Sequence, residues 1–233
     1  MKPRDFHYRH FLPEVILQCL RWYLRYPISY RNLEEMMIER GVEVDHTTLY
    51  RWVQAYSVEL AKRIRYYSKP YSTSWRVDET YIKVKGKWKY LYRAVDKYGS
   101  TIDFMLSSHR DIAAAKKFFK QVMINSALKP KVITTDKHSS YNKAIIQLKA
   151  QKILPNLLLH RQCKYLNNII ESDHRRIKRR INPMLGFKTF NTARRCIFGI
   201  EAMAMMIKKQ THYLRLSILE QVQFVKRLFY IYD

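Results

Sequence analysis

The sequence predicts an α/β protein in which an all-α segment precedes a mixed sheet flanked by helices. Three observations carry that expectation. Apolar residues recur at helical spacing through residues 14–65. Period-two runs rich in β-branched and aromatic residues occupy 75–107. Short apolar strands then alternate with amphipathic helices. The 233 residues suit one large or two small domains, and the 47% hydrophobic content supports a packed core over global disorder.

Residues 1–13 are an aromatic and basic lead-in. EVILQCLRWYLR (14–25) follows as a helix, with Val15, Ile16, Leu20 and Leu24 near helical spacing and Pro27 stopping it. Ser29 caps a second helix, YRNLEEMMIER, with Leu33, Met36 and Met37 inward. Gly41 ends it in the left-handed conformation that glycine accepts. Asp45 caps a third, HTTLYRWVQAYSVELAKRIR, with Leu49, Val53 and Tyr56 toward the core. Two helices joined by a short turn with Gly form the pattern of a helix-turn-helix, whose second helix enters the major groove N-terminus first. Thr47, Thr48, Tyr50, Arg51 and Gln54 would then face DNA, where Arg can bridge guanine and Gln adenine. Three ordinary packed helices with a polar face are the plainer alternative. Residues 1–65 are assigned to this helix-turn-helix domain. Residues 66–74, YYSKPYSTS, form a linker in which Pro70 and the Ser/Thr cluster break both periodicities.

WRVDETYIKV is then a strand, KGK a turn through Gly86, and WKYLYRAV the returning strand. TIDFMLSS is a third strand with Ile102, Phe104 and Leu106 on one face. Asp111 opens the helix DIAAAKKFFKQVMINSA. KVITTD is a short buried strand ending at Asp136, HSSYNKAIIQLKA a helix, LPNLLLH a last short strand, and KYLNNIIESDHRRIKRRI a long helix carrying Glu171. Three antiparallel strands followed by crossover helices into further strands give the element order of the ribonuclease-H-like fold, and residues 75–182 are assigned to such a core. The region 183–233 is helical again, through NTARRCIFGIEAMAMMIKK and LSILEQVQFVKRLFYI. The stripe Ile218, Val222, Val225 and Phe229 either packs on its own domain, the plainer reading, or forms a dimer interface.

The formal net charge of +25, from 44 basic and 19 acidic residues, points to a polyanionic partner. The excess is not a basic tail: residues 1–67 carry +3 (11 against 8), 68–160 carry +12 (18 against 6) and 161–233 carry +10 (15 against 5). Three cysteines without a CxxC pair argue against a disulfide framework and fit a reducing compartment. No signal peptide is evident, and IFGIEAMAMMI is interrupted by Glu201 and too short to span a bilayer. These features predict a cytoplasmic, nucleoid-associated nucleic-acid protein with neither a membrane nor a small-molecule partner. There is no Walker loop, dinucleotide turn or nucleophile elbow. His160-x-x-Cys163 lacks the second ligand pair that zinc needs, which favours a loop or core role.

Asp78 inside the first strand is a charge that needs a reason, because burying an unpaired carboxylate is costly. Asp136 at a strand end and Glu171 on a helix could meet it. Phosphodiester cleavage is served by two metal ions held by carboxylates, and magnesium prefers oxygen ligands. Glu171 lies roughly 100° around its helix from Ile170, at the edge of the stripe Leu166, Ile170, Ile177 and Ile181, with Arg175 and Lys178 on the same flank to hold phosphate. Strand parity does not choose between Asp78 and Glu79. Asp96 and Asp103 are expected as turn or surface residues, Asp111 as a helix cap and Asp173 as a surface partner of Arg176.

RVDETYIKVKGKWKYLYRAVD, TTDKHSSY and KYLNNIIESDHRRIKRR together resemble the DDE transposases of bacterial insertion sequences, and family six in particular. RWYLRYPISYRNLEEMMIERGVEVDHTTLYRWVQ is similar to the helix-turn-helix of that family, so the resemblance runs from about Val15 to Lys209. It implies a metal-binding triad of Asp78, Asp136 and Glu171, with 34 residues between the last two, and a basic residue, Lys178, seven positions after the glutamate. It further implies two Mg²⁺ ions (Mn²⁺ able to substitute) and recognition of terminal inverted repeats. Homodimers or higher oligomers acting on paired double-stranded DNA ends, and replicative transposition through cointegrates, are implied as well. The competing expectations are a sequence-specific DNA-binding protein or inactive relic, and a nuclease or junction resolvase that cuts without joining.

Overall fold

The computed structural model describes residues 4–7, 10–69, 72–163, 168–211 and 217–232. Leu166, placed by the sequence in the stripe of the Glu171 helix, lies outside them. The chain divides into two compact units: residues 70–178, and residues 1–69 together with 179–233. The regions 1–65 and 183–233, which the sequence treats separately, therefore belong to one unit, and a unit boundary falls between Lys178 and Arg179.

The discontinuous unit is all helical. Helix α1 (Pro13–Arg25) starts with proline, whose missing N–H costs nothing at a helix start. Ser29 caps α2 (Tyr30–Ile38) in a reciprocal bond with Asn32. Gly41 follows it with φ 70°. The Asp45 side chain accepts from the N–H groups of Thr47 and Thr48 and opens α3 (His46–Tyr66). Leu33 and Met37 are buried as expected, together with Leu49, Val53 and Tyr56. This unit's remaining long helix is Phe190–Ile207, capped by Thr189 and Thr192 and buried on nearly every side from Cys196 to Met206. It packs on α1 and α3. A β-carbon at Gly199 would sit 2.6 Å from Leu24 Cδ1 and 2.8 Å from Ser57 Oγ, so only glycine admits that approach. In the last helix, Ile218–Leu228, the buried residues are Phe224, Val225 and Leu228, with Phe229 just beyond. Ile218 is exposed, so the inward stripe is rotated from the expected one. That helix packs on α1 and α3 of its own unit.

The other unit is the predicted mixed sheet. Strands β1 (Ser74–Val84), β2 (Lys87–Asp96) and β3 (Thr101–Ser107) form an antiparallel meander. Helix α4 (Ile112–Asn125), capped by Asp111, leads to β4 (Val132–Thr135). Helix α5 (Ser139–Ala150) leads to β5 (Leu159–Gln162). Strands β4 and β5 run parallel to β1, and the order across the sheet is β3-β2-β1-β4-β5, the ribonuclease-H-like arrangement expected. Strand β5 covers LHRQ rather than the apolar LPNLLLH. Leu158 is buried ahead of it, whereas Leu157 is almost wholly exposed. Helix α6 (Asn168–Ile181) closes the series.

Each sheet face has its own set of residues. Trp75, Val77, Tyr92, Ala94 and Ile133 share a face and join Phe118, Phe119, Tyr141 and Ile145 in one apolar core under α4 and α5. Asp78 and its cross-strand neighbour Arg93 have the opposite parity. They meet α6, as their contacts below show. Asp103 is buried within β3 rather than a turn or surface residue, whereas Asp96, also buried, is a turn residue as expected. Asp96 accepts from the N–H groups of Ser72, Tyr98 and Ser100 at 3.1, 2.9 and 2.8 Å, and Asp103 from Gln121 and Asn125 at 3.0 and 2.9 Å.

Candidate active site

The site forms where the parallel pairing stops. β1 is registered with β4 only from Ser74↔Val132 to Arg76↔Thr134. Two residues further on each strand come Asp78 and Asp136, so the register itself brings them together. Glu79 joins from the other face of β1. Among the described residues these three carboxylates form the one acidic cluster, each offering an oxygen within 4.8 Å of the others. All the donors are hard oxygens, the set that suits a divalent cation such as Mg²⁺.

Each carboxylate is held differently. His174 Nε2 on α6 lies 3.3 Å from Asp78 Oδ2 and must donate to it, since a carboxylate only accepts. Asp136 Oδ1 accepts from the His138 N–H at 3.0 Å, in the turn that opens α5. Glu79 has both oxygens engaged: Oε2 accepts from the Tyr141 hydroxyl, and Oε1 pairs with Arg110 Nε. Arg110 also reaches Asp136, with Nη2 to Oδ2 at 3.7 Å.

Burial raises the Glu79 carboxyl above the usual range, against the Tyr141 hydrogen bond and the Arg110 charge, and Asp78 and Asp136 push the same way as burial. Burial likewise lifts the Tyr141 phenol well above its ordinary value, with Glu79 adding to it, so Tyr141 stays protonated and donates. Burial works against the Arg110 charge, but Glu79, Tyr81 and Asp136 outweigh it.

Helix α6 meets the sheet through Asp173 and His174, which share a buried stripe at helical spacing with Ile170 and Ile177. Asp173 is not a surface partner of Arg176: its Oδ2 lies 2.6 Å from Arg93 Nη2 beneath the helix. Its position three residues after Ile170 puts it on the apolar stripe, a signal present in the sequence. Glu171 sits in the first turn of α6, exposed and outside the three-carboxylate cluster, one turn before His174. Arg175 and Lys178 are exposed four and seven residues on. His174, four residues after Ile170, carries the same stripe signal, whereas nothing in the sequence pattern marks Arg110 or Tyr141, because their roles depend on which loop and helix the fold brings to the strand ends. His160 and Cys163 lie at β5 outside the acidic cluster, with His160 Nε2 2.9 Å from Thr135 Oγ1.

At the start of α3, Thr47 and Arg51 are exposed. The Thr47 and Thr48 hydroxyls donate to Asp45, the latter at 2.6 Å. Tyr50 packs edge-on against Tyr30, and Gln54 Nε2 is turned to the Thr192 carbonyl at 3.4 Å.

A DDE domain family matches residues 72–210. The chain is 42% identical over 212 residues, 91% of its length and 92% of the relative's, to a transposase for insertion sequence-like element IS431mec of Staphylococcus aureus. It has the same identity and coverage with the transposase for insertion sequence element IS257 in transposon Tn4003 of that organism. Among solved structures, the HTLV-2 integrase catalytic core domain in complex with magnesium (trimeric form) is similar at 14% identity. That match has a TM-score of 0.43 and covers 57% of this chain and 85% of that one.

Proposed function

The chain belongs to the DDE transposases of insertion-sequence family six, and from that premise we propose that it nicks the 3′ ends of its own element and joins them to target DNA. The observation that carries the reading is the register-driven meeting of Asp78 and Asp136 at the open end of β4, with His174, three residues after Glu171 on α6, in contact with Asp78. Asp78, Asp136 and Glu171 would hold Mg²⁺. The ions, when bound, supply an activated nucleophile and stabilise the leaving oxygen.

The chain's own residues do the rest. His174 and the His138 N–H orient the two aspartates. Glu79 differs from Asp78 in a way that supports Asp78 as the ligand: both its oxygens are already taken, and its side chain is 2% exposed against 18% for Asp78. Glu79 with Arg110 is then a fixed support under Asp136. Arg175 and Lys178 place positive charge beside Glu171, where the scissile phosphate would sit. Hydrolysis of the end phosphodiester frees a 3′-hydroxyl. That hydroxyl attacks a target phosphodiester in line, forming one P–O bond and expelling the target 3′-oxygen, with no covalent protein intermediate.

Thr47, Thr48, Tyr50 and Arg51 would read the terminal repeat from the N-terminal half of α3, with Gln54 released from Thr192 if it takes part. Two chains acting on paired double-stranded ends complete the reading. The test is Mg²⁺-dependent nicking of a duplex carrying the element end. Wild-type protein should nick, while Asp78→Asn, Asp136→Ala and Glu171→Gln should lose at least a hundredfold. Retained activity in Asp136→Ala would sink the assignment.

A further inference from the structure

The β1–β2 hairpin extends past the acidic cluster and carries an unusual face. Cross-strand pairs Tyr81↔Tyr90 and Lys83↔Trp88 stand together on it. Tyr81 lies 5.4 Å from Tyr90 and 6.4 Å from Trp88 between ring centroids, an aromatic ladder open to solvent, with Trp88 61% and Tyr81 43% exposed. The ladder begins at the site, because Arg110 Nη1 lies 3.4 Å from the Tyr81 hydroxyl while the same guanidinium engages Glu79 and Asp136.

The charge around the ladder is one-sided. Lys83, Lys85, Lys87 and Lys89 crowd the tip, and no acidic residue occurs between Glu79 and Asp96. The turn is two residues long, Lys85 and Gly86, with φ 49° and 74°. Positive φ at both positions favours Asn-Gly or Asp-Gly, so a lysine at the first is locally unfavourable. A cation is retained where turn chemistry would choose otherwise. A second copy of this chain, also at +25, is a poor electrostatic match for such a tip, whereas a polyanion with flat apolar faces fits it.

We propose that this hairpin is a binding arm for single-stranded DNA: Trp88 and Tyr81 stack on unpaired bases next to the phosphate being cut, and the tip lysines hold the adjoining backbone. This rests on the reading of the acidic cluster as a DNA-cutting centre. Base–aromatic stacking tolerates any sequence, which suits a strand opened beside the cleavage point.

The test uses the full chain and a twelve-nucleotide oligo(dT) in EDTA, so that no cleavage occurs and binding is read apart from nicking. Trp88 is the one tryptophan among the exposed large residues, and its fluorescence should be quenched by oligo(dT). Trp88→Ala should bind oligo(dT) roughly five- to a hundredfold more weakly, and Trp88→Phe should recover most of the loss. Lys85→Asn should lower the slope of log affinity against log salt by about 0.7 while unfolding no earlier than wild type. Equal oligo(dT) affinity for wild type and Trp88→Ala would overturn the proposal. So would a Trp88 already shielded from acrylamide before DNA is added, which would make the hairpin a contact between copies. A chain that nicks normally but fails these tests loses the hairpin proposal alone, and one that passes them without nicking loses the catalytic reading alone.

Discussion

Arg93 Nη2 and Asp173 Oδ2 meet at 2.6 Å with both side chains cut off from solvent, and the residues beside them in register and in sequence, Asp78 and His174, meet at 3.3 Å. Two adjacent residues of α6 thus grip two directly opposed residues of β1 and β2. Both the rotation and the axial position of the helix are fixed two residues after Glu171. The carboxylate that the sequence places on α6 inherits its location from this double contact.

Removing one partner of a buried ion pair leaves the other charge uncompensated, at a cost of about 3–5 kcal/mol. Asp173→Ala should therefore lower the unfolding free energy by that amount in urea titrations, and nicking should fall although every proposed metal ligand remains. Arg93→Met with Asp173→Leu should regain most of the stability and little of the activity. If Asp173→Ala unfolds at the wild-type urea concentration, the pair does not hold the helix.

Much of this was legible in the residues. Period-two runs fix β1 to β3 because one sheet face must be apolar, and Asp111, Asp45 and Ser29 announce helix starts through their side-chain oxygens. A carboxylate in the first strand and Asp136 stood out because a charge in or just after a buried strand is expensive, while the family resemblance alone picked Asp78 over Glu79. Three things were not legible. The polar β5 takes its place from pairing with β4 rather than from its own pattern. The choice between Asp78 and Glu79 depends on which donors the fold brings to each oxygen. The joining of the N- and C-terminal helices depends on contacts between residues more than a hundred positions apart, such as Gln54 with Thr192.

Burial pushes the thiols of Cys19 and Cys196 up to about 12. Burial also raises the Tyr23 and Tyr30 phenols. An unfolded thiol titrates near ~8.5, so from there upward the folded state binds more protons than the unfolded one, and stability falls as pH rises toward 12. The contribution is complete below about 8.5. Urea midpoints of the wild type should fall between pH 8.5 and 10 faster than those of Cys19→Ala with Cys196→Ala. A thiol reagent at pH 8 should label Cys163 and leave the other two untouched in the folded chain. Equal labelling of all three would contradict the packing of α1 against Phe190–Ile207.

Gly199 tests that packing from the other side. Its absent β-carbon leaves room for Leu24 and Ser57 at distances no real β-carbon tolerates. Gly199→Ala gains helix propensity worth about 1 kcal/mol. The overpacking costs about 1–3 kcal/mol. The steric term should win, giving a lower thermal midpoint. Gly199→Ala combined with Leu24→Val should recover part of the loss, whereas a midpoint raised by Gly199→Ala alone would mean that the helices can move apart freely.

The end of the same helix offers a change of opposite sign. Lys209 follows Phe190–Ile207 with φ 58°. The N–H groups of Lys209 and Gln210 bond back to the carbonyls of Met206 and Met205 at 3.0 and 3.1 Å. This is the left-handed helix stop that glycine fills without strain, and a side chain there costs about 1–2 kcal/mol. Lys209→Gly should recover about 0.5–1 kcal/mol of this after the added entropy of the unfolded chain. The expected readout is a higher urea midpoint with an unchanged slope. Lys209→Ala, which removes the same charge but keeps the β-carbon, should not share the gain, and equal effects from the two substitutions would assign the change to charge rather than to backbone conformation.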